Sequence, residues 1–245
     1  MHILLTRPEF EARKMKAQLE ASGHRVSLAP VLNIVPCLPD ELNFHGVHAL
    51  VVTSANALRA LERSPALARA RTLPIFVVGG GTEREARRVG FADIHVGAGT
   101  GRALAGLIRE SAAPSDGRLL YLVGETRAFD LAGSLRDSGF DVDMVIAYRA
   151  FASSALPADV VRDIGSGEID TVILMSPRTA RVLSTLLEQQ GLRPAARRLR
   201  FICLSENVAA AIADMNPERI EIAGKPSGEE MLALANRMAS VSGTS

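Results

Sequence analysis

The chain has 245 residues, 47% of them hydrophobic and 22% charged, with a net charge of +1. These are globular values, sufficient for one large or two modest domains and far from intrinsic disorder. The near-zero charge argues against sequence-independent nucleic-acid binding, and no apolar run approaches the ~18 residues of a membrane span.

The chain opens on HILLT, a short apolar run that predicts a strand and leaves no room for a signal peptide, so a cytoplasmic protein is expected. EFEARKMKAQLEASG follows, with Ala12, Met15 and Leu19 at helical spacing and Gly23 as a C-terminal stop. RVSLAPVLNIVPCL (25–38) is extended, β-branched and longer than a strand of a compact sheet needs. HALVVTS then leads into ANALRALER, with Leu58 and Leu61 on one face, and PIFVVGGG leads into TEREARRVG. After APSDG (113–117), which has the composition of a linker, RLLYLVGE leads into TRAFDLAGSLRDSG, and VDMVIAYRAFA (142–152) is a second long extended stretch. DTVILMS runs into PRTARVLSTLLEQQG, and RFICLS into ENVAAAIADM. Strands alternating with helices predict parallel sheets covered on both faces. The two cysteines, Cys37 and Cys203, lack CxxC spacing and read as reduced, packed thiols.

The units recur in order. At an offset of 116, Leu19 falls on Leu135, Gly23 on Gly139 and Val26 on Val142; at 122, Ser54 falls on Ser176. At 125, FVVGGGTEREA lies over FICLSENVAAA, placing Gly80 on Ser205 and Thr82 on Asn207, and Gly99–Thr100 then lies over Pro226–Ser227. Ordered matches across successive units predict two similar α/β domains. The stretches at 25–38 and 142–152 could pair as a ladder between them.

Strand exits rich in glycine invite a nucleotide reading, which the residues refuse. A G-x-G-x-x-G pattern from Gly79 needs glycine at 84, where Arg84 stands, and from Gly80 it needs glycine at 82, where Thr82 stands. There is no P-loop, HExxH or GxSxG. His45 and His48 are three apart, but no carboxylate or cysteine completes a ligand set, so no metal is expected. Arg59, Arg63, Arg84, Arg87 and Arg88 fall on helix surfaces and read as solvated.

TRPE, then P-V-L-x-I-x-P, VVTSANAL, FVVGGGT, LLYLVGETR, the tyrosine of IAYRA, ILMSPRTA and KPS follow one another along the chain. In that order they resemble the uroporphyrinogen-III synthase family over nearly the whole length. The resemblance implies two similar flavodoxin-like, doubly wound parallel-sheet lobes joined by a two-stranded β-ladder. One lobe would be discontinuous, 1–36 with 151–245, and the other, 37–150, inserted, with ladder strands at about 25–38 and 142–152. It implies a cofactor-independent, cyclising hydro-lyase. Such an enzyme closes the linear tetrapyrrole hydroxymethylbilane into uroporphyrinogen III with inversion of ring D, in heme, siroheme, cobalamin or chlorophyll-type biosynthesis. It further implies transient hand-over from hydroxymethylbilane synthase and no nucleic-acid or membrane partner. A monomer is expected because no exposed apolar stripe asks for a partner.

A polycarboxylate substrate asks for N–H and hydroxyl donors, which doubly wound sheets present outside the carboxyl ends of their strands. Thr6, Ser54, Gly79, Gly80, Gly81, Thr82, Ser176, Ser205 and Asn207 fall there, where the same residue types also serve as helix N-caps. Arg7, just after the first strand, can clamp a carboxylate bidentately, and Lys225 sits at another strand exit. CLSEN departs from the Gly-Pro-x-Thr type sequence of many family members, which puts a transferred threonine role there in doubt. Tyr148 matches the family's tyrosine on the returning linker strand, facing the cleft between lobes. A phenol, protonated at neutral pH, could assist departure of the bilane hydroxyl as a hydrogen-bond donor or acid. Tyr121, inside LLYLV, reads as core. Two alternatives stand beside this one: a non-catalytic two-lobed binder or sensor of a tetrapyrrole or other anion, and a nucleotide-dependent transferase or oxidoreductase.

Overall fold

The computed structural model describes residues 1–127 and 129–242. The chain divides into two compact units, Met1–Asn33 with Phe151–Ser245, and Ile34–Ala150. In chain order the strands are β1 (His2–Leu5), β2 (Arg25–Leu28), β3 (Leu32–Pro36), β4 (Val47–Val52), β5 (Ile75–Val77), β6 (Ile94–Val96), β7 (Arg118–Gly124), β8 (Val142–Ala152), β9 (Thr171–Leu174), β10 (Arg200–Cys203) and β11 (Arg219–Ile222). The helices that position the site are α1 (Glu9–Ala21), α2 (Ala55–Glu62), α3 (Leu67–Ala70), α4 (Gly80–Arg88), α5 (Gly101–Ser111), α6 (Leu131–Arg136), α7 (Ala158–Ser166), α8 (Pro177–Gln189), α9 (Arg193–Ala196), α10 (Glu206–Ala210) and α11 (Gly228–Ser242).

The first unit holds a five-stranded sheet in the order β11-β10-β9-β1-β2, with every pair parallel. Its strands are apolar on both faces because helices cover both. Ile3 and Leu5 pack with Ala12, Met15 and Leu19 of α1 and with Met231 and Ala235 of α11. Leu4, Val172 and Phe201 pack on the other side with residues of α7, α8 and α10. The second unit repeats the plan in the order β3-β8-β7-β4-β5-β6. β4 to β8 are parallel, with one core built around α2 and α4 and the other around α5 and α6. β3 is added at the edge of β8. Cys37 N–H donates to the Ala147 carbonyl at 2.9 Å and Ser153 N–H to the Val31 carbonyl at 3.0 Å, so the two chains run in opposite directions.

The two sheets are the same spatial arrangement entered at different points. β2, β1, β9, β10 and β11 stand where β8, β7, β4, β5 and β6 stand, which gives flavodoxin-like order 2-1-3-4-5 in one lobe and 3-2-1-4-5 in the other. Strand register tests the sequence repeat directly. Ile3 pairs with Val26 as Leu119 pairs with Val142, in keeping with the offset of 116. Leu4 pairs with Val172 as Leu50 pairs with Leu120, in keeping with 122. The third offset needs correction: Val172 pairs with Phe201 and Leu50 with Ile75, so β10 lies over β5 at 126 rather than 125. Ser205 is therefore the counterpart of Gly79, not Gly80, and both are N-cap residues.

Other boundaries also differ. Residues 25–38 are not one ladder strand: β2 belongs to the first sheet and ends at Leu28, the chain bends at Val31, and only β3 pairs with β8. β8 is long because its first half pairs with β7 as an ordinary sheet strand. The helix expected from Thr126 begins only at Leu131, where Asp130 accepts from the Gly133 N–H; Ala128 lies outside the described residues. APSDG forms a single 3₁₀ turn, Pro114–Asp116, inside the second unit. Among the described residues no helix is long and apolar enough to cross a membrane.

Candidate functional site

Each sheet has a point where neighbouring strands send their helices in opposite directions, and ligands of doubly wound folds bind outside the carboxyl ends there. In the first unit this point lies between β1 and β9, so its exits are Thr6–Arg7 and Met175–Ser176. In the second it lies between β4 and β7, with exits Thr53–Ser54 and Glu125–Arg127. Four of the sequence candidates thus sit at switch points: Thr6, Arg7, Ser54 and Ser176. Thr53 and Glu125–Arg127 were not among the sequence candidates, and the repeat did not point to them, since at its offsets Thr53 falls on Met175 and Glu125 on Glu9.

Ser54 and Ser176 are true caps. Ser54 Oγ accepts from Asn56 N–H at 3.2 Å, and Ser176 Oγ accepts from Thr179 N–H at 3.1 Å while sharing a 2.7 Å bond with the Thr179 hydroxyl. Thr100 and Ser227, paired by the repeat, cap equivalently, accepting from Ala103 at 3.2 Å and from Glu230 at 3.1 Å. Ser205 holds the N-cap position of α10 with no side-chain cap bond. Thr6 does not cap: Pro8 precedes α1, and the Thr6 hydroxyl is fully enclosed without a hydrogen-bond partner among the described residues. Such an orphan is unfavourable by about 1–3 kcal/mol, so its persistence needs a reason.

The glycines divide by role. A Cβ on Gly79 would lie 3.2 Å from Gly99 Cα, so Gly79 lets the exits of β5 and β6 touch backbone to backbone. Gly80 and Gly81 are exposed, and a Cβ added at either would meet nothing closer than 3.7 Å. They open α4 without a side-chain cap, and their N–H groups are the unpaired donors of a helix start. Thr82, by contrast, is 6% exposed and turned inward, so it stands apart from that exposed pair. Asn207 lines a groove of about 730 Å³ between α8 and α10 together with Arg181, Ser184 and Asp214. Lys225 is exposed beyond β11, and Arg7 is half-buried.

Tyr148 is half-buried in the second half of β8, level with Gly124 at the carboxyl end of β7 and against the core under α2 and α4. Tyr121 is core, 2% exposed, and its hydroxyl lies 3.0 Å from Thr53 Oγ1. Burial pushes its pKa up, partly offset by the Thr53 hydrogen bond.

Of the helix-surface arginines, Arg63, Arg84, Arg87 and Arg88 are exposed as their pattern predicts, and Arg59 is half-buried. Arg59 reaches the buried Glu85 at 3.1 Å, and Arg88 bridges Glu85 at 3.0 Å and Glu62 at 2.5 Å, tying α2 to α4. Among the described residues, His2, Asp163 and Glu168 bring one potential ligand atom each within 4.8 Å of one another. Guanidinium groups already hold both carboxylates, with Arg162 2.9 Å from Asp163 and Arg25 3.0 Å from Glu168. The cluster also lies at the amino ends of β1 and β2, away from the switch point.

A duplicated doubly wound α/β fold, with donor-rich strand exits in both copies, defines a two-lobed α/β protein. The family model described as uroporphyrinogen-III synthase HemD matches residues 13–233, and the chain belongs to the uroporphyrinogen-III synthase family. Among solved structures, the uroporphyrinogen-III synthetase of Helicobacter pylori 26695 aligns with TM-score 0.67 and 18% identity, over 97% of this chain and 99% of that one. A mutant uroporphyrinogen III synthase of the extremely thermophilic bacterium Thermus thermophilus aligns with TM-score 0.57 and 16% identity, over 98% and 99%. At these identities the likeness is one of fold. No curated protein sequence gives a match.

Proposed function

We propose that the protein is a uroporphyrinogen-III synthase, a cofactor-independent lyase that cyclises hydroxymethylbilane with inversion of ring D. The observation that carries this reading is the family match across residues 13–233, which spans both copies of the fold. The substrate is a flexible polycarboxylate that loses its terminal hydroxyl readily and closes unaided to the type I isomer. The task is therefore to steer a reactive cation. A bias of about 2.7 kcal/mol already gives roughly a hundredfold preference for one product, which positioning by many hydrogen bonds can supply.

In this reading Gly80, Gly81, Ser54, Ser176, Ser205 and Asn207 offer N–H, hydroxyl and amide donors to carboxylates, and Arg7 and Lys225 offer charge. Thr6 and Thr82 take part only if their buried hydroxyls become accessible. The Tyr148 phenol donates a proton to the departing hydroxyl. The C–O bond breaks, water leaves, and the pyrrole nitrogen lone pair stabilises the azafulvene cation left behind. The bilane arrives by transient hand-over from the synthase that makes it, and the protein acts as a cytoplasmic monomer.

The test is incubation with freshly generated hydroxymethylbilane, oxidation, and chromatographic separation of porphyrin isomers. Enrichment of type III is expected. Type I alone would leave a binding protein instead, and a clear thermal shift with NAD(P) or ATP would favour a nucleotide enzyme.

A further inference from the structure

The register of β7 against β8 holds one irregularity, and it falls at Tyr148. Val123 pairs with Ile146, but the next residue, Gly124, pairs with Tyr148, leaving Ala147 as an extra residue on β8. Bulges are uncommon between parallel strands, and where they occur they re-aim a side chain. The packing shows the re-aiming. Val142 and Met144 face the core with Leu119, Tyr121 and Val123, whereas Val145 and Ala147 face the opposite core with Leu120 and Leu122. Strict alternation would put Tyr148 with Val142 and Met144. Instead it packs on the side of Val145 and Ala147. The bulge is anchored on both sides: the Ala147 carbonyl accepts from Cys37 N–H at 2.9 Å, and the Tyr148 carbonyl accepts from Glu125 N–H at 3.2 Å.

On that side the ring lies over Gly124. A Cβ at Gly124 would be 2.6 Å from Tyr148 Cζ, 2.7 Å from its hydroxyl oxygen and 3.1 Å from Cε1. Gly124 is not among the glycines with positive φ, so its backbone would accept a side chain, and the three atoms nearest an added Cβ all belong to the Tyr148 ring, which would have to shift. We infer that Gly124 and the Ala147 bulge are positioning features for Tyr148: the bulge turns the phenol across the end of β7, and the missing side chain at Gly124 makes the bed on which it rests. This rests on the proposed role of Tyr148.

The chain has two tyrosines, so protein labelled with [¹³Cζ]tyrosine gives two resonances, assigned with Tyr148→Phe. Gly124→Ala is expected to move the Tyr148 resonance and leave that of Tyr121, which packs on the other face of the sheet. An unmoved Tyr148 resonance overturns the inference. In single-turnover formation of the type III isomer, Gly124→Ala is expected to lower the rate roughly tenfold with little change in KM, as a misplaced acid does. Gly124→Ala combined with Tyr148→Ala should be no slower than Tyr148→Ala alone, since the added Cβ then meets no ring; multiplying losses overturn the inference. If Gly124→Ala does not fold, recovery of a cooperative melt in the double variant supports the contact and failure to recover refutes it. Should the wild-type protein not enrich type III, the proposed activity falls and the resonance arm alone decides this inference.

Discussion

Replacing Thr6 by valine exchanges an enclosed hydroxyl, without a partner among the described residues, for a methyl of nearly the same shape. Thr6 follows β1 at the switch point, its own carbonyl engaged by Val31 N–H at 3.2 Å, and the side chain contributes nothing to that bond. A buried hydroxyl without a partner is unfavourable by about 1–3 kcal/mol. Thr6→Val should therefore stabilise the protein, by about 1 kcal/mol after imperfect packing of the new methyl. With a urea slope of about 2–3 kcal/mol per molar, the midpoint should rise by roughly 0.3–0.5 M. Thr6→Ser keeps the orphan and removes a buried methyl, so it should move the midpoint the other way. Urea titration followed by circular dichroism reads both. A lower midpoint for Thr6→Val would mean that the hydroxyl is bonded in solution and that the reasoning is wrong. If the hydroxyl is retained for substrate, the same variant shows a raised KM for bilane, the pattern of a site that trades stability for binding.

Tyr148→Phe should slow type III formation about tenfold without abolishing it, because the bilane loses its hydroxyl unaided; full rate would remove the acid role. Cys203 is wholly buried and burial pushes its thiol up to about 12, so DTNB at pH 8 should count one reactive thiol per native chain, Cys37, and two after denaturation. His2 is 5% exposed, and its pKa is lowered from 6.5, first by burial and then by Arg25. Between its folded value and 6.5 the unfolded chain binds more protons, so stability should fall as pH drops below 6.5, and His2→Gln should flatten that slope in urea midpoints measured against pH.

Much of the fold was written in local patterns. Ala12, Met15 and Leu19, chosen by helical spacing, are the buried residues of α1, and Gly23 and Gly139, matched by the repeat, share φ near +84° and +88°. What stayed hidden has physical causes. The slip from 125 to 126 was invisible because FVV and FIC are buried on both faces, so a one-residue shift leaves the apolar pattern intact. The break between Leu28 and Leu32 was masked by extended residues on either side, which read alike whether they pair with β1 or with β8. Of the candidate site, the cap residues were legible because capping is chemistry of a few neighbouring residues. The burial of Thr6 and Thr82 was not, since it depends on packing from distant segments.

The two copies also differ in a way that bears on where chemistry resides. β1 and β2 have four residues each, whereas their counterparts β7 and β8 have seven and eleven. The position equivalent to Gly124 at the offset of 116 is Pro8, the residue before α1, and β2 has already ended before it could carry an equivalent of Tyr148. Capping hydroxyls are thus duplicated, in Ser54 with Ser176 and in Thr100 with Ser227, while the phenol on its glycine exists once. A substrate with carboxylates along its length gains from donors in both copies. Departure of one hydroxyl needs one acid, and a second copy would add nothing. Under the proposed function, duplicated caps beside a single phenol accord with a division in which both lobes bind and the Ile34–Ala150 lobe alone supplies the proton.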